Sequence, residues 1–296
     1  MEKTSKDTSE RPIKTVSNIV KDQSSPKIDP SSTKGGSSQM QLLSLAKQFV
    51  LDGGLIDTEQ QVPLEERARK RERVNHLRRQ QNLETIIQKA LGYSSDNKIT
   101  DKADQDWFES FLTLAENVSN RTMQDLWAKI LAGEMSQPGT FSLKALNIFK
   151  AMSIYDAKLL AKACTLTVRD QQRKNIRIIS GCYQKPGIFN FFNRDNEQRI
   201  NLNNLGLSYA DLLVLSENHL IFIQETESHT MNKKDDIVFN FDGKSLTLTP
   251  KKSNCILVFY KFTPWGNELA NLINSHGSSD YLTTLKAQFS HHFLVK

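Results

Sequence analysis

The chain has 296 residues, of which 38% are hydrophobic and 24% charged, and its formal net charge is +6. That length allows one or two domains with a sizeable core, and the modest apolar share indicates that part of the chain is unfolded. The sequence holds neither an apolar run of roughly 18 residues, as a membrane span needs, nor the apolar core of a secretory signal. We therefore expect a cytoplasmic protein whose mild basic excess permits, without requiring, contact with nucleic acid or acidic lipid.

A disordered tail is predicted over residues 1–38. Ser, Thr, Pro and Gly occupy 18 of these 38 positions, and no aromatic residue is present. Such a segment cannot bury enough apolar surface to offset its ordering entropy. A short helix is predicted next, within residues 39–51, because four apolar side chains of this stretch share one helical face. These side chains are Leu42, Leu45, Ala46 and Phe49.

A long basic helix is predicted over residues 63–91, with Pro63 in its first turn, where a proline is well tolerated. Its residues 67–79, which we call the basic segment, carry seven Arg or Lys and one Glu, a local charge of +6. The candidate site residues are these seven cations: Arg67, Arg69, Lys70, Arg71, Arg73, Arg78 and Arg79. They could bind the phosphates of nucleic acid, which releases counterions irrespective of the base sequence. At most four or five of the seven cations could contact phosphates of one duplex at the same time. Alternatively, the segment is a solvated helix face or an interdomain strut. The arginines of the strut would be Arg67, Arg71 and Arg78, and the acids that they pair with would lie near Asp101, Asp104 and Asp106.

Closely spaced helices are predicted to form a small domain over residues 101–165, after a section 39–100 that holds the short and the long helix. Trp127 has Leu and Ile neighbours at helical spacing, which favours a place in the core over ligand binding. A mixed α/β domain is predicted over residues 166–296. Its strands include IRIIS and HLIFIQ, and Asp242-Gly243 indicates a β-hairpin. The predicted fold class is therefore α+β and mostly helical, in four sections.

The segments DQDWF (104–108), LWAKILAGE (126–134) and PGTFS (138–142) form a long signature. It resembles that of a bacterial family of conserved hypothetical proteins, known as a domain of unknown function. The resemblance is strong over residues 65–165, weak beyond them, and implies no catalytic residue. The C-terminal part is similar to winged-helix domains, with helix 208–217 and strands within 237–262 as their parts. Helix 208–217 contains no Lys or Arg, so we do not expect it to read DNA bases.

Motifs of catalysis and of metal or cofactor binding are not found. The histidines lack the HExxH spacing, and GLSYA (206–210) lacks the final glycine of a nucleophile elbow. His291-His292 is expected to be exposed at the C-terminal end. The three cysteines contain no CxxC pair, so we expect buried, reduced thiols. They are Cys164, Cys182 and Cys255.

The leading hypothesis is a bacterial cytoplasmic protein that binds a protein partner and is not an enzyme. The first alternative is association with nucleic acid through the basic segment. The second is an enzyme whose site is assembled from scattered residues, which a deep pocket with convergent polar groups would reveal. No cofactor, metal or small-molecule ligand is expected.

Overall fold

The computed structural model describes residues 37–94, 102, 104–172, 175–185, 197–273 and 275–296. The chain divides into two compact units, Met1–Arg71 and Glu72–Lys296. The tail predicted over residues 1–38 lies outside the described residues, except for Ser37 and Ser38. The described fold combines helices with an antiparallel sheet, which confirms the predicted α+β class.

The first unit is built around α1, Ser38–Gln48, which starts where the Ser37 side chain accepts the Met40 amide. Two 3-10 turns follow, Asp52–Gly54 and Thr58–Gln60, and then the beginning of α2, Leu64–Tyr93. The division between the units falls inside α2, after Arg71. No side chain described between residues 37 and 71 is buried. The described part of this unit therefore has no core of its own.

The other helices belong to the second unit. They are α3 Gln105–Ala115, α4 Arg121–Ser136, α5 Leu143–Ala151, α6 Ile154–Cys164, α7 Tyr209–Glu217, α8 Pro264–Ala270 and α9 Ser279–Phe289. Each starts after a residue whose side chain accepts a backbone amide of the first turn. These caps satisfy amides that have no partner inside the helix, which explains why the helices begin where they do.

The eight described strands belong to the second unit and form one sheet. They are β1 Val168–Asp170, β2 Ile176–Gln184, β3 Glu197–Arg199, β4 Thr226–Glu227, β5 Ile237–Phe241, β6 Lys244–Pro250, β7 Cys255–Lys261 and β8 Phe293–Val295. Their order is β4-β7-β2-β1-β5-β6-β8, with β3 paired to β2, and all pairs are antiparallel. The predicted hairpin joins β5 to β6, with Asp242 and Gly243 at φ 51° and 78°.

The winged-helix similarity is not confirmed. The strands within residues 237–262 belong to a sheet of eight described strands, whereas a winged helix carries its strands as a small wing. The predicted strand HLIFIQ is wrong, because residues 219–224 contribute only an isolated bridge between Ile221 and Phe262. Here His219 adopts a left-handed φ of 57° directly after α7 and its C-cap Asn218, which turns the chain away from an extended course.

The core of the second unit is one cluster of buried side chains that runs from Ile86 to Phe293. Trp127 is fully buried, with its ring centroid 5.3 Å from Phe111 and 5.2 Å from Phe149. Its predicted core position is therefore confirmed. The cluster contains residues from both sides of the boundary predicted at 165/166, and that boundary stays a prediction.

Candidate interaction surface

The signature segments hold a turn in place. The carboxylate of Glu134, which is buried, accepts the amides of Gly139 at 2.6 Å and Phe141 at 2.8 Å. The indole of Trp107 donates to the Phe141 carbonyl at 2.7 Å. A Cβ at Gly133 would lie 2.9 Å from the Phe141 ring, so the small residue permits the close approach. These polar groups hold the turn that follows α4, so their hydrogen bonds support the fold.

The same turn ties two helices together. Ser142, the cap of α5, donates to one carboxylate oxygen of Glu268 on α8, through its amide at 2.8 Å and its hydroxyl at 2.9 Å. The Ser142 hydroxyl also accepts the amide of Ala145. The signature therefore positions α5 against α8 through charge-assisted hydrogen bonds, which are stronger than neutral ones.

An open apolar groove lies in the first unit, beside α1. Its volume is about 570 Å³. It is lined by Gln39, Leu42, Leu43, Leu45, Ala46, Phe49, Leu51 and Leu55. Four of these leucines, Leu42, Leu45, Leu51 and Leu55, are between 53% and 68% exposed. A cluster of large exposed apolar side chains marks a binding surface far more often than a single one does.

The groove is poor in charge. α1 carries one ionisable residue, Lys47, which falls outside the groove lining. Beside the groove, the side chain of Arg67 lies against the turn at Gly53. A Cβ atom placed on Gly53 would come within 2.5 Å of the Arg67 Cδ atom. An apolar centre with charge confined to the edge is the usual composition of a protein–protein interface.

The cations of the basic segment differ in what they contact. In the first unit, Arg69 donates to Glu65 at 2.6 Å, one helical turn away. In the second unit, the Nε atom of Arg79 lies 3.4 Å from Oε1 of Glu116 and donates a hydrogen bond to Oδ1 of Asn117. Arg67 and Arg78 are half-buried. The cations that remain are exposed and make no ion pair with any described residue: Lys70, Arg71 and Arg73.

The acids predicted for the strut lie partly outside the described residues. Asp101 lies outside the described residues, and the Asp104 side chain caps α3 by accepting the amides of Asp106 and Trp107. Among the described residues, Glu116 at the C-terminal end of α3 contacts the basic segment of the second unit through Arg79. Whether the segment serves as a strut or as a phosphate-binding face stays a prediction.

A comparison with known protein families matches residues 66–286 to the family described as "Protein of unknown function (DUF2806)". The chain belongs to this family. Searches of curated proteins and of solved structures found no match. In this DUF2806 protein the matched residues include the signature, and the groove residues 39–55 precede them.

A second polar cluster of the DUF2806 protein joins neighbouring strands. Ser180, at an irregularity in the pairing of β2 with β7, donates to Glu225 at 2.5 Å. The other oxygen of Glu225 accepts from Arg199 at 2.5 Å, and Arg199 also binds Glu197. Tyr183 also lies on β2, opposite Glu197 of β3. Burial and, to a smaller extent, a hydrogen bond to Glu227 raise the pKa of Tyr183 to about 12. Both carboxylate oxygens of Glu225 are already bound, so the cluster ties β2 and β3 to the segment before β4.

The thiols and the C-terminal histidines do not form a reactive site. All three cysteines are buried and free, and burial raises the pKa of Cys164 to about 12. Such a thiol stays protonated and is a poor nucleophile. The expected exposure of His291-His292 is wrong for His292, which is fully buried because the chain returns to pair β8 with β6. Within the described residues, no group of three His, Cys, Asp or Glu could hold a metal ion.

Sequence reasoning found only part of the groove. The helical face of residues 42–49 was visible in the spacing of its apolar side chains, and α1 confirms it. Leu51 and Leu55 come from the turn after α1 and have no periodicity to mark them. In the part of the chain that the structure describes, no helix has the length and apolar character to cross a membrane.

Proposed function

We propose that this DUF2806 protein is not an enzyme and that it binds a protein partner through the apolar groove. The observation that carries the proposal is where the exposed apolar side chains lie. Of the nineteen large apolar side chains exposed among the described residues, eight fall between Met40 and Leu64. Water contact with these side chains is unfavourable by about 25 cal/mol per Å² of apolar surface. Four of the eight line the groove, and a partner that covers the groove removes this cost for them.

The stability of α1 supports the same proposal. The helix has 11 residues, and none of them is buried. An isolated helix shorter than about 12–15 residues is marginal in water, because helices in proteins are held mainly by the packing of an apolar face. The face that would supply this packing is the one that lines the groove. A helix of the partner fits this surface best, since it can place apolar side chains at i, i+3, i+4 and i+7 into the groove.

Site-specific photo-cross-linking in cells tests the proposal. A benzophenone-bearing amino acid replaces Leu45, which lines the groove, in one strain. In the control strain it replaces Ser44, which is exposed and is not part of the groove. We expect irradiation to produce a discrete protein adduct from position 45 and none from position 44. Adducts of equal yield from both positions, or none from position 45, would refute the proposal.

Nucleic-acid association is the second candidate, supported by three exposed cations that form no ion pair with any described residue: Lys70, Arg71 and Arg73. Three neutralised phosphates correspond to a salt slope of about 2.7, or about a 40-fold weakening between 50 and 200 mM salt. Reading of bases by α7 is not part of this candidate, because α7 carries Asp211 and Glu217 and no cation.

A gel-shift titration with random duplex DNA and RNA tests this second candidate. The triple variant Lys70→Ala, Arg71→Ala and Arg73→Ala should bind at least tenfold more weakly than wild type at 50 mM salt. A control that removes the same charge elsewhere should bind like wild type, and its changes are Lys233→Ala, Lys244→Ala and Lys296→Ala. No retardation of wild type at micromolar protein and low salt would remove this candidate and leave the partner-binding proposal intact.

A further inference from the structure

We infer that the occupant of the apolar groove is α1 of a second copy of this chain, so that the protein forms a symmetric dimer through its first unit. The inference rests on the proposed function and names the partner of the same groove. It is carried by the composition of α1, by the charge of the unit, and by the apolar area that the unit exposes.

α1 provides both a groove and a ligand that fits a groove. Leu42, Leu45 and Ala46 follow each other at i, i+3 and i+4 and line one wall. The same row is the pattern by which an amphipathic helix binds an apolar groove. A surface that is complementary to itself produces a two-fold contact, in which the groove of each copy receives the helix of the other.

The charge of the described part of the first unit allows two copies to approach. Five cations and five acids lie between residues 37 and 71, which gives a net charge of zero. The cations are Lys47, Arg67, Arg69, Lys70 and Arg71, and the acids are Asp52, Asp57, Glu59, Glu65 and Glu66. At about 100° per residue, Lys47 points roughly 130° away from the middle of the groove face. Two α1 helices can therefore pack without a like-charge contact at their centre.

The same charges argue against a lipid surface as the occupant. Helices that lie on membranes carry several Lys or Arg on the polar face and aromatic side chains near the boundary. α1 has a single Lys and no Arg, and the aromatic residue of the groove is its C-cap, Phe49. Residues 37–71, which have no net charge, gain little from anionic headgroups, whereas the same residues of a second copy require no counter-charge.

The exposed apolar area suits a dimer at the lower end of specific interfaces. A Leu-sized side chain contributes roughly 100 Å² of apolar surface. The eight side chains between Met40 and Leu64 are each about half to three-quarters exposed. Together they offer roughly 500 Å² per copy, or roughly 1,000 Å² for two, which is about the smallest area of a specific interface. We therefore expect a dimer with a dissociation constant in the micromolar range.

Sedimentation equilibrium of the purified full chain, between about 1 and 200 µM, tests the inference. The average mass of the wild-type protein should rise from that of one chain to that of two chains within this concentration range. The groove variant Leu42→Asp, Leu45→Asp should dimerise at least tenfold more weakly. A matched variant, Gln41→Asp, Ser44→Asp, adds the same charge outside the groove and should dimerise like wild type. Because all four positions are exposed, thermal melting should show an intact second unit in both variants.

Three results would overturn the inference. The first is wild type that sediments as a single chain at every concentration, and the second is a dimer that the groove variant leaves unchanged. The third is monomeric wild type that floats with vesicles of 30% phosphatidylglycerol while the groove variant does not, which would make lipid the occupant. In the first case the cross-linking result at position 45 still decides the proposed function. An adduct with a different protein would preserve it, and the absence of any adduct would refute both.

Discussion

Trp127 and Glu134 stabilise the second unit in different ways. Trp127 contributes by packing, since it is fully buried and its indole N–H has no acceptor among the described residues. Glu134 contributes through hydrogen bonds, because its buried carboxylate accepts two backbone amides of the turn that follows α4. Both residues belong to the segment LWAKILAGE (126–134).

Trp127→Ala should lower the free energy of unfolding by about 3–5 kcal/mol, because it leaves a large cavity between the rings of Phe111 and Phe149. Leu77→Ala is the matched control, since Leu77 is 63% exposed, and should change stability by less than about 0.5 kcal/mol. Urea unfolding followed by circular dichroism measures both. Equal midpoints for wild type and Trp127→Ala would mean that the indole is not part of a packed core.

Asp125 should make stability depend on pH. The Tyr93 hydroxyl donates to its carboxylate at 2.7 Å, and with Lys89 and Lys129 nearby the pKa of Asp125 is lowered. A carboxyl whose folded pKa is depressed contributes stability above its unfolded pKa, near 3.9, and loses it as the pH falls through the folded value. Asp125→Asn should therefore lower the melting temperature at pH 7 and have little effect near pH 2. A difference from wild type that is the same at both pH values would contradict this.

Elements with strong local signals were predictable from the sequence. Ser153 with Asp156 and Ser208 with Asp211 have the spacing of a capping box, and the structure confirms both, at α6 and α7. Thr263 followed by Pro264 predicts the start of α8, which is confirmed. Thr122 with Asp125 has capping-box spacing too, but the cap that it predicts is wrong, because the Asn120 side chain accepts the first amides of α4 and leaves Thr122 inside the helix. A polar residue two positions earlier competes equally well for the same role.

Elements that depend on distant contacts were not predictable. A glycine near the end of a helical pattern is a common stop signal, so Gly133 predicts the end of α4. The helix instead continues to Ser136, and the Phe141 ring packs against the bare glycine. The turn that follows α4 brings Phe141 there, and no local pattern marks it. β1 and β3 have three residues each, and they are strands because β2 and β5 pair with β1 and β2 pairs with β3. The signals of such short strands are too weak to find before the sheet is known.

Ser142→Ala tests the tie between α5 and α8. The change removes the cap of α5 and one of the two hydrogen bonds to Glu268, so we expect a loss of about 1–2 kcal/mol. Ser153→Ala removes the exposed cap of α6 and is the comparison. It should cost less, because it affects no other helix. A loss for Ser142→Ala that does not exceed that for Ser153→Ala in thermal melting would show that the tie contributes nothing.

The two units of the chain differ in how they are stabilised. The second unit contains the continuous core, the sheet and the tied signature turn. The described part of the first unit buries no side chain and exposes an apolar groove. Segments with few buried apolar contacts open with little free energy unless something binds them. The central claim is therefore that the first unit is completed by a partner in its groove.

Amide hydrogen exchange of α1 tests this claim most directly. In dilute protein, at about 1 µM, the amides of Ser38–Gln48 should exchange within seconds. Those of α4, in the core of the second unit, should stay protected. When the groove is filled, by a second copy at high concentration or by the protein that cross-links to position 45, exchange in α1 should slow at least a hundredfold and α4 should not change. Protection of α1 equal to that of α4 in dilute single chains would show that the first unit needs no partner and would contradict the account.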